Sequence, residues 1–347
     1  MAVPHRTESH SIAVLGAGSW GTALAHLLGV NGHRVALWDR DQALVEHIAA
    51  SGTNAKYLPD AALPANITPT HSLQEALVNV EWVIVAVPSG AIRDVISEAG
   101  EHLSAATAIL SAAKGLEAET GFTMSEVIAL LLQDVPHAGI VALSGPNLAH
   151  EVVRRIPSAS VCASSDIALA RRAQEILMSP HVFRVYTHAD VRGVELGGAL
   201  KNVLAIGAGI SDGLGFGDNT KAALMTRGLM EMTQMGIAAG AKSLTFLGLA
   251  GVGDLMATAA GRLSRNYRVG LGLADHKPLA DVLRELGQVA EGVATAKAAR
   301  LLSRRYDIET PLFDAIHDVL YAGKAPQATV EELMSRPARD EFTTETA

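Results

Sequence analysis

Apolar and polar positions along the chain fall into two regimes. As far as about Asp190, short apolar runs of strand length alternate with stretches of helical period. The first run, Ser11–Leu15, leads through GAGSWG into the helix-like TALAHLLGVNGH. Further strand-like runs follow in RVALWDRD, EWVIVAVPSG, AILSAAKG, IVALSGPNLAHE and FRVYTH, with a helix-like DIALARRAQEILM before the last. EWVIVAVPSG is apolar almost to Pro88, the pattern of a central parallel strand covered on both faces. From about Val191 the alternation stops, and long helical segments are expected over 194–211, 219–240, 279–304 and 310–336. In the loop SDGLGFGDNTKAA, Asp218 or Asn219 is expected to cap the second of them.

These patterns predict an α/β chain: a doubly wound, mostly parallel sheet over 1–192 and an all-α domain over 193–347. No flexible linker marks the boundary, so the two domains should pack directly together. The first βα turn carries Gly16-x-Gly18-x-x-Gly21, between a strand and a helix, which is the context a Rossmann-like dinucleotide site needs. Gly16 allows the tight turn, Gly18 lets backbone approach a pyrophosphate, and Gly21 lets helix pack closely on strand. At the end of the next strand stand Asp39, suited to ribose hydroxyls, and Arg40, suited to a 2′-phosphate. The two pull in opposite directions, so NAD and NADP both remain open.

Three later strand-like runs end in small or polar residues, and Lys114 is the one charge among them. In the second half, ELGGALKNVLAIGAGISDG places Lys201 and Asn202 inside a small and apolar run. On a helix, Lys201 shares its face with Gly197, Gly198, Leu204 and Ala205, which leaves room for another helix or for a ligand. A stem lying on apolar surface with its head in water remains the plainer reading. Asp254 lies in the glycine-rich apolar TFLGLAGVGDLMATAAG and needs a partner, for which a lysine is the obvious choice. Ser264, Arg265 and Asn266 in RLSRNYR are three consecutive groups able to donate to phosphate oxygens. Glu291 in GQVAEGVATA lies a short way into another helix and is unremarkable by itself.

Composition narrows the partners. A formal charge of −8 over 347 residues argues against nucleic acid, while leaving room for an anionic small molecule on a local basic patch. No apolar stretch approaches the ~20 residues needed to span a bilayer, and no secretory signal opens the chain, so a cytoplasmic protein without membrane insertion is expected. The single cysteine, Cys162, fits a reducing compartment and a core position. The 13 histidines show no metal-ligand spacing, and no metal is expected. The tail RPARDEFTTETA should be mobile.

Taken in order, GAGSWGTALA, VAVPS, KGLE, SGPNLAHEV, GVELGGALKNVLAIGAGISDGLGFGDNTKAALMTRG, GLAGVGDLMAT, SRNYR and VAEG resemble the NAD(P)-dependent sn-glycerol-3-phosphate dehydrogenase family, from about Ile12 to Ala325. The resemblance implies a homodimeric, cytoplasmic enzyme that reduces dihydroxyacetone phosphate with NADH or NADPH and supplies glycerophospholipid synthesis. By motif position, Lys201 would be the general acid and base, with Lys114, Asn202 and Asp254 around the reacting centre. Substrate contacts would fall on Lys114, Gly145, Asn147, Lys201, Asp254, Ser264, Arg265 and Asn266. Cofactor contacts would fall on Ser19, Trp20, Arg40, Lys114, Ala149, Arg265, Val289 and Glu291, beside the three glycines. The family usually has serine or threonine where this chain has Asn147. Two other readings compete: a different NAD(P)-dependent hydroxyacid dehydrogenase of similar architecture, which need not prefer a phosphorylated substrate, and a redox sensor that binds NADH without catalysis.

Overall fold

The computed structural model describes residues 8–261, 263–338 and 340–341. Most of the expected mobile tail, residues 339 and 342–347, lies outside them.

The described residues form ten strands: β1 (Ser11–Leu15), β2 (Arg34–Trp38), β3 (Thr53–Asn54), β4 (Leu58–Ala62), β5 (Ile67–Thr70), β6 (Trp82–Val85), β7 (Ala108–Ser111), β8 (Gly139–Ser144), β9 (Ser158–Ala163) and β10 (Phe183–His188). Eight of them form one sheet in the order β10-β9-β8-β7-β6-β1-β2-β5, and β3 pairs with β4 apart from it. All neighbours in the large sheet are parallel except β8 and β9. The strand order therefore reverses at β1, which pairs with β2 on one side and β6 on the other, and a crevice opens outside their carboxyl ends. Apolar side chains cover both faces of the sheet, with Leu24, Leu28 and Trp82 on one and Ile92, Ile96 and Ile128 on the other. Packing of this kind explains why β6 and β7 are buried at every position.

Four strands were invisible to the sequence pattern: the small pair β3 and β4, and two strands of the large sheet. Ile67–Thr70 is short and carries Pro69, which a strand tolerates at a sheet edge, where β5 lies. Ser158–Ala163 begins with small and polar residues and lacks an apolar run.

After β10 the chain turns into the helix Val191–Gly213, capped by Asp190, whose Oδ1 accepts from the Gly193 amide at 3.0 Å. Its six glycines make it a poor helix by propensity. Tertiary packing decides otherwise, because every residue from Gly193 to Ser211 is buried. The remaining helices wrap it: Asp218–Ala238, Arg265–Ala274, Glu291–Arg305 and Pro311–Tyr321 all pack against it.

Three helix expectations need correction. The segment 279–304 is two helices, Leu279–Leu286 and Glu291–Arg305, because Gly287 ends the first in a left-handed conformation. Likewise 310–336 is broken into Pro311–Tyr321 and Pro326–Met334, around Gly323 at φ +66° and ahead of Pro326. Neither Asp218 nor Asn219 caps its helix; Gly217 takes that position, and Asp218 sits in the first turn, where its charge suits the helix dipole. Among the described residues no helix is long and apolar enough to cross a membrane.

Candidate active site

Lys201 is 5% exposed, so its head does not reach bulk water as the plainer reading required. The Nζ atom donates to Asp254 Oδ1 at 2.7 Å and to Thr258 Oγ1 at 2.5 Å. Lys114 reaches the other oxygen, Nζ to Asp254 Oδ2 at 2.9 Å, and also donates to the Gly145 carbonyl at 2.7 Å. One carboxylate, itself 2% exposed, is thus shared by two ammonium groups from different parts of the chain. Burial drives the Lys201 ammonium down to about 8; the Asp254 carboxylate opposes that fall and the neighbouring Lys114 charge adds to it. For Asp254, burial pushes upward, but the two lysines overcome it and hold the carboxyl below the usual carboxylate range.

Local structure explains how these groups meet. Leu249–Gly253 is a kinked turn, broken at Gly251, whose φ of −98° and ψ of −106° are non-helical, and it delivers Asp254 to the start of the helix Asp254–Ala259. Asp254 and Thr258 are four residues apart and so present one face to Lys201. Across the sheet, Lys114 follows β7, and Gly145 follows β8 at φ +127°.

Beside this cluster lie three amides and a cap. Asn202 uses its whole side chain within the protein: Nδ2 donates to the Lys114 and Gly198 carbonyls at 3.3 Å each, and Oδ1 accepts from Asn266 Nδ2 at 2.8 Å. Asn266 Oδ1 accepts from the Gly292 amide at 2.9 Å, which leaves one N–H of Asn266 to donate. Ser264 caps Arg265–Ala274, its Oγ accepting from the Tyr267 amide at 3.3 Å, so its own hydroxyl hydrogen stays available. The Arg265 side chain is exposed. Asn147 is turned back, donating to the Ala159 carbonyl at 3.1 Å and accepting from Ser160 Oγ at 3.2 Å.

Lys114, Lys201, Thr258, Asn202, Ser264, Arg265, Asn266 and Asn147 border a cleft of about 1080 Å³ between the sheet's carboxyl edge and the helices, with Asp254 and Gly145 behind them. At its other end is the Gly16–Gly21 turn. A Cβ on Gly21 would lie 1.9 Å from the Gly16 carbonyl oxygen, so helix and strand close directly on each other there. Gly18 faces the opposite situation, since a Cβ built on it meets nothing within 4 Å. Among the described residues no side chain caps the N-terminus of the helix Ser19–Val30, and none partners the buried Trp20 indole N–H. An open cradle, uncapped amides and a helix dipole suit a dinucleotide pyrophosphate. Asp39 holds this turn in place, its Oδ2 accepting from the Ala17 amide at 2.8 Å and its Oδ1 from Asp41 at 3.0 Å. Arg40 is exposed at the cleft beside it.

Comparison with known proteins agrees with this geometry. Family profiles for the NAD-dependent glycerol-3-phosphate dehydrogenase N-terminus and C-terminus match residues 11–170 and 190–331 respectively. A glycerol-3-phosphate dehydrogenase (NAD(P)+) of Thermoanaerobacter sp. (strain X514) is 48% identical over 331 residues, covering 95% of this chain and 98% of that protein. The chain belongs to the NAD-dependent glycerol-3-phosphate dehydrogenase family. A protein of the same name from Geobacillus kaustophilus (strain HTA426) is 47% identical over 96% of both chains. The crystal structure of the glycerol-3-phosphate dehydrogenase from Coxiella burnetii superposes with a TM-score of 0.90 at 39% identity, over 94% of this chain and 99% of that one.

Within this member of the dehydrogenase family, the residues nominated from sequence converge. All of them border the cleft except Gly21, Gly145 and Asp254, which stand behind it as packing, carbonyl and counter-ion. Ser19 borders it too, although its hydroxyl is given to the Tyr57 carbonyl at 3.0 Å. Sequence reasoning missed Thr258, whose signal was its spacing of four from Asp254. It left open whether the space beside Gly197 and Gly198 takes protein or ligand, and it takes protein: a Cβ on Gly198 would lie 2.4 Å from Ser144 Oγ, and one on Gly197 would lie 2.6 Å from the Ala250 carbonyl oxygen.

Proposed function

We propose that this chain reversibly reduces dihydroxyacetone phosphate to sn-glycerol 3-phosphate with NADH or NADPH, residues 1–192 carrying the cofactor and 193–347 most of the substrate site. The observation that carries this reading is the Lys114–Asp254–Lys201 cluster beside Ser264, Arg265 and Asn266, with a glycine turn at the far end of the same cleft. The nicotinamide, when bound, supplies the hydride for the carbonyl carbon. Reduction also needs a proton for the carbonyl oxygen, and Lys201 is the donor. With a pKa of about 8 its ammonium form outnumbers the amine by about ten to one at pH 7, yet it gives up the proton far more readily than an ordinary lysine. Asp254 fixes the direction of the Nζ atom, and Lys114 contributes a second positive charge where negative charge develops. Arg265, the Ser264 hydroxyl and the spare Asn266 N–H hold the phosphate. In the helix Val191–Gly213, Asn202 acts as a positioning residue because both its N–H groups and its bond from Asn266 are already committed within the protein.

Arg40 favours a 2′-phosphate, and Asp39, already bonded to two backbone amides, opposes it less than a free carboxylate would, which supports use of both cofactors. A homodimer working in the cytoplasm and feeding glycerophospholipid synthesis completes the proposal, on the strength of the family resemblance. The deciding assay follows NADH and NADPH oxidation separately with dihydroxyacetone phosphate and with unphosphorylated dihydroxyacetone. Strong preference for the phosphorylated ketone is expected with either cofactor; equal turnover of the two ketones would remove the phosphate site from the proposal.

A further inference from the structure

Ser89, just past the carboxyl end of β6, makes a two-point contact across the molecule with Glu291 at the start of the helix Glu291–Arg305. Its amide donates to Glu291 Oε1 at 3.0 Å, and its hydroxyl donates to Glu291 Oε2. The partners are 202 positions apart in sequence. The junction is fitted tightly: a Cβ on Gly115 would lie 2.6 Å from Ser89 Cβ and 3.0 Å from the Glu291 carboxylate. Glu291 is followed by Gly292, whose amide holds Asn266 and whose Cβ position lies 2.5 Å from the Asn202 carbonyl oxygen. From Asn266 the hydrogen bonds run to Asn202, and from Asn202 to the Lys114 carbonyl, next to Gly115. The path therefore closes on itself. It ties two strand ends to three helix segments and passes through both an amide proposed to bind phosphate and the backbone of Lys114.

We infer that Ser89 is a positioning residue for substrate: by gripping Glu291 it fixes the 291–292 turn, and through Gly292 it holds the Asn266 amide and the Lys114 backbone in register. Ser89 touches neither reacting atoms nor phosphate, and its hydroxyl acts by holding a carboxylate that would otherwise follow the helical domain away from the sheet. This rests on the reading of Asn266 as a phosphate ligand.

The test compares Ser89→Ala, the milder Glu291→Gln and the double variant with wild type, using dihydroxyacetone phosphate, unphosphorylated dihydroxyacetone and hydrogen exchange over 288–294. Loss of one hydrogen bond to a charged group should raise the KM for dihydroxyacetone phosphate about tenfold in Ser89→Ala, while kcat changes less. Glu291→Gln, which keeps an acceptor for the Ser89 amide, should give a smaller rise in KM. The double variant should be little worse than Ser89→Ala alone, because both changes cut the same link. Exchange over 288–294 should quicken in Ser89→Ala. A general loss of packing would instead lower the active fraction and leave KM unchanged. An unchanged KM in Ser89→Ala, with wild type still discriminating between the ketones, overturns the inference; so does a double variant whose KM effects multiply. If wild type treats the two ketones alike, the phosphate reading fails, and exchange decides the brace: unchanged protection over 288–294 overturns it, and lost protection upholds it.

Discussion

Two glycine-rich stretches flank the cleft and use the same residue in opposite ways. In the Gly16–Gly21 turn the decisive glycine is Gly18, beside which there is empty space. In the helix Val191–Gly213 the space beside the glycines is already taken by protein. A Cβ on Gly209 would lie 2.1 Å from the Tyr267 carbonyl oxygen, and the facing Gly270 would put one 2.1 Å from the Ile206 carbonyl oxygen. One stretch keeps room for a ligand; the other lets backbones touch so that a buried lysine can be enclosed. Glycine density alone does not distinguish the two. The difference lies in what the fold brings opposite, which is a cleft for the turn and the helix Arg265–Ala274 for the long helix.

The sharpest way to probe the enclosed side is to remove what it encloses. Lys201→Met keeps the apolar stem and deletes the ammonium, and Asp254 stays paired with Lys114 at 2.9 Å, so no buried charge is stranded. Turnover should fall by about 10²- to 10⁴-fold, the range for a lost general acid, with NADH affinity retained in a fluorescence titration. A near-wild-type rate would mean that the helix encloses the lysine for packing alone.

Next in size is Gly209→Val. Its branched side chain has to displace the Tyr267 backbone, which costs about 3 kcal/mol or about 10²-fold in the folding equilibrium, read as a lowered Tm and denaturant midpoint. Gly18→Ala should do the reverse. Its φ of −68° suits any residue and its Cβ meets nothing, so the Tm should stay near wild type. The added methyl would nevertheless fill the pyrophosphate cradle and weaken NADH binding by about tenfold, roughly 1.4 kcal/mol. If Gly18→Ala lowered stability and spared binding, the contrast between the two stretches would collapse.

These contrasts also show how far the sequence could be read. The strands β1, β2, β6, β7, β8 and β10 and their polar ends were legible because buried parallel strands are apolar and stop abruptly. Long-range choices were not. Nothing local in GGALKN says that Gly198 faces Ser144, or that the Asn202 amide is consumed by Lys114 and Asn266. Asp254 was legible as a carboxylate in need of a cation, because an unpaired buried charge is too costly to persist. That two lysines share it, one from each half of the chain, depends on the kinked turn at Gly251 and on the packing of the helices against the strand ends, which residue patterns do not encode.

The smallest effect expected is also the most specific to the enclosed lysine. Burial lowers Lys201 to about 8 in the free protein, so the acid needed for ketone reduction is present below that pH and is lost as pH rises through it. Over pH 7 to 9.5, kcat/KM for dihydroxyacetone phosphate reduction should therefore bend downward near 8, while that for glycerol 3-phosphate oxidation, which needs the amine, should bend upward at the same place. Lys114→Met moves the bend in a defined direction. It removes a cation that lowers the Lys201 pKa and leaves Asp254 to Lys201 alone, so both changes favour the ammonium form and carry the bend above 8. A bend that stayed in place, or moved down, would mean that burial by the glycine-packed helix sets the proton affinity of Lys201 without help from the strand-end lysine across the cleft.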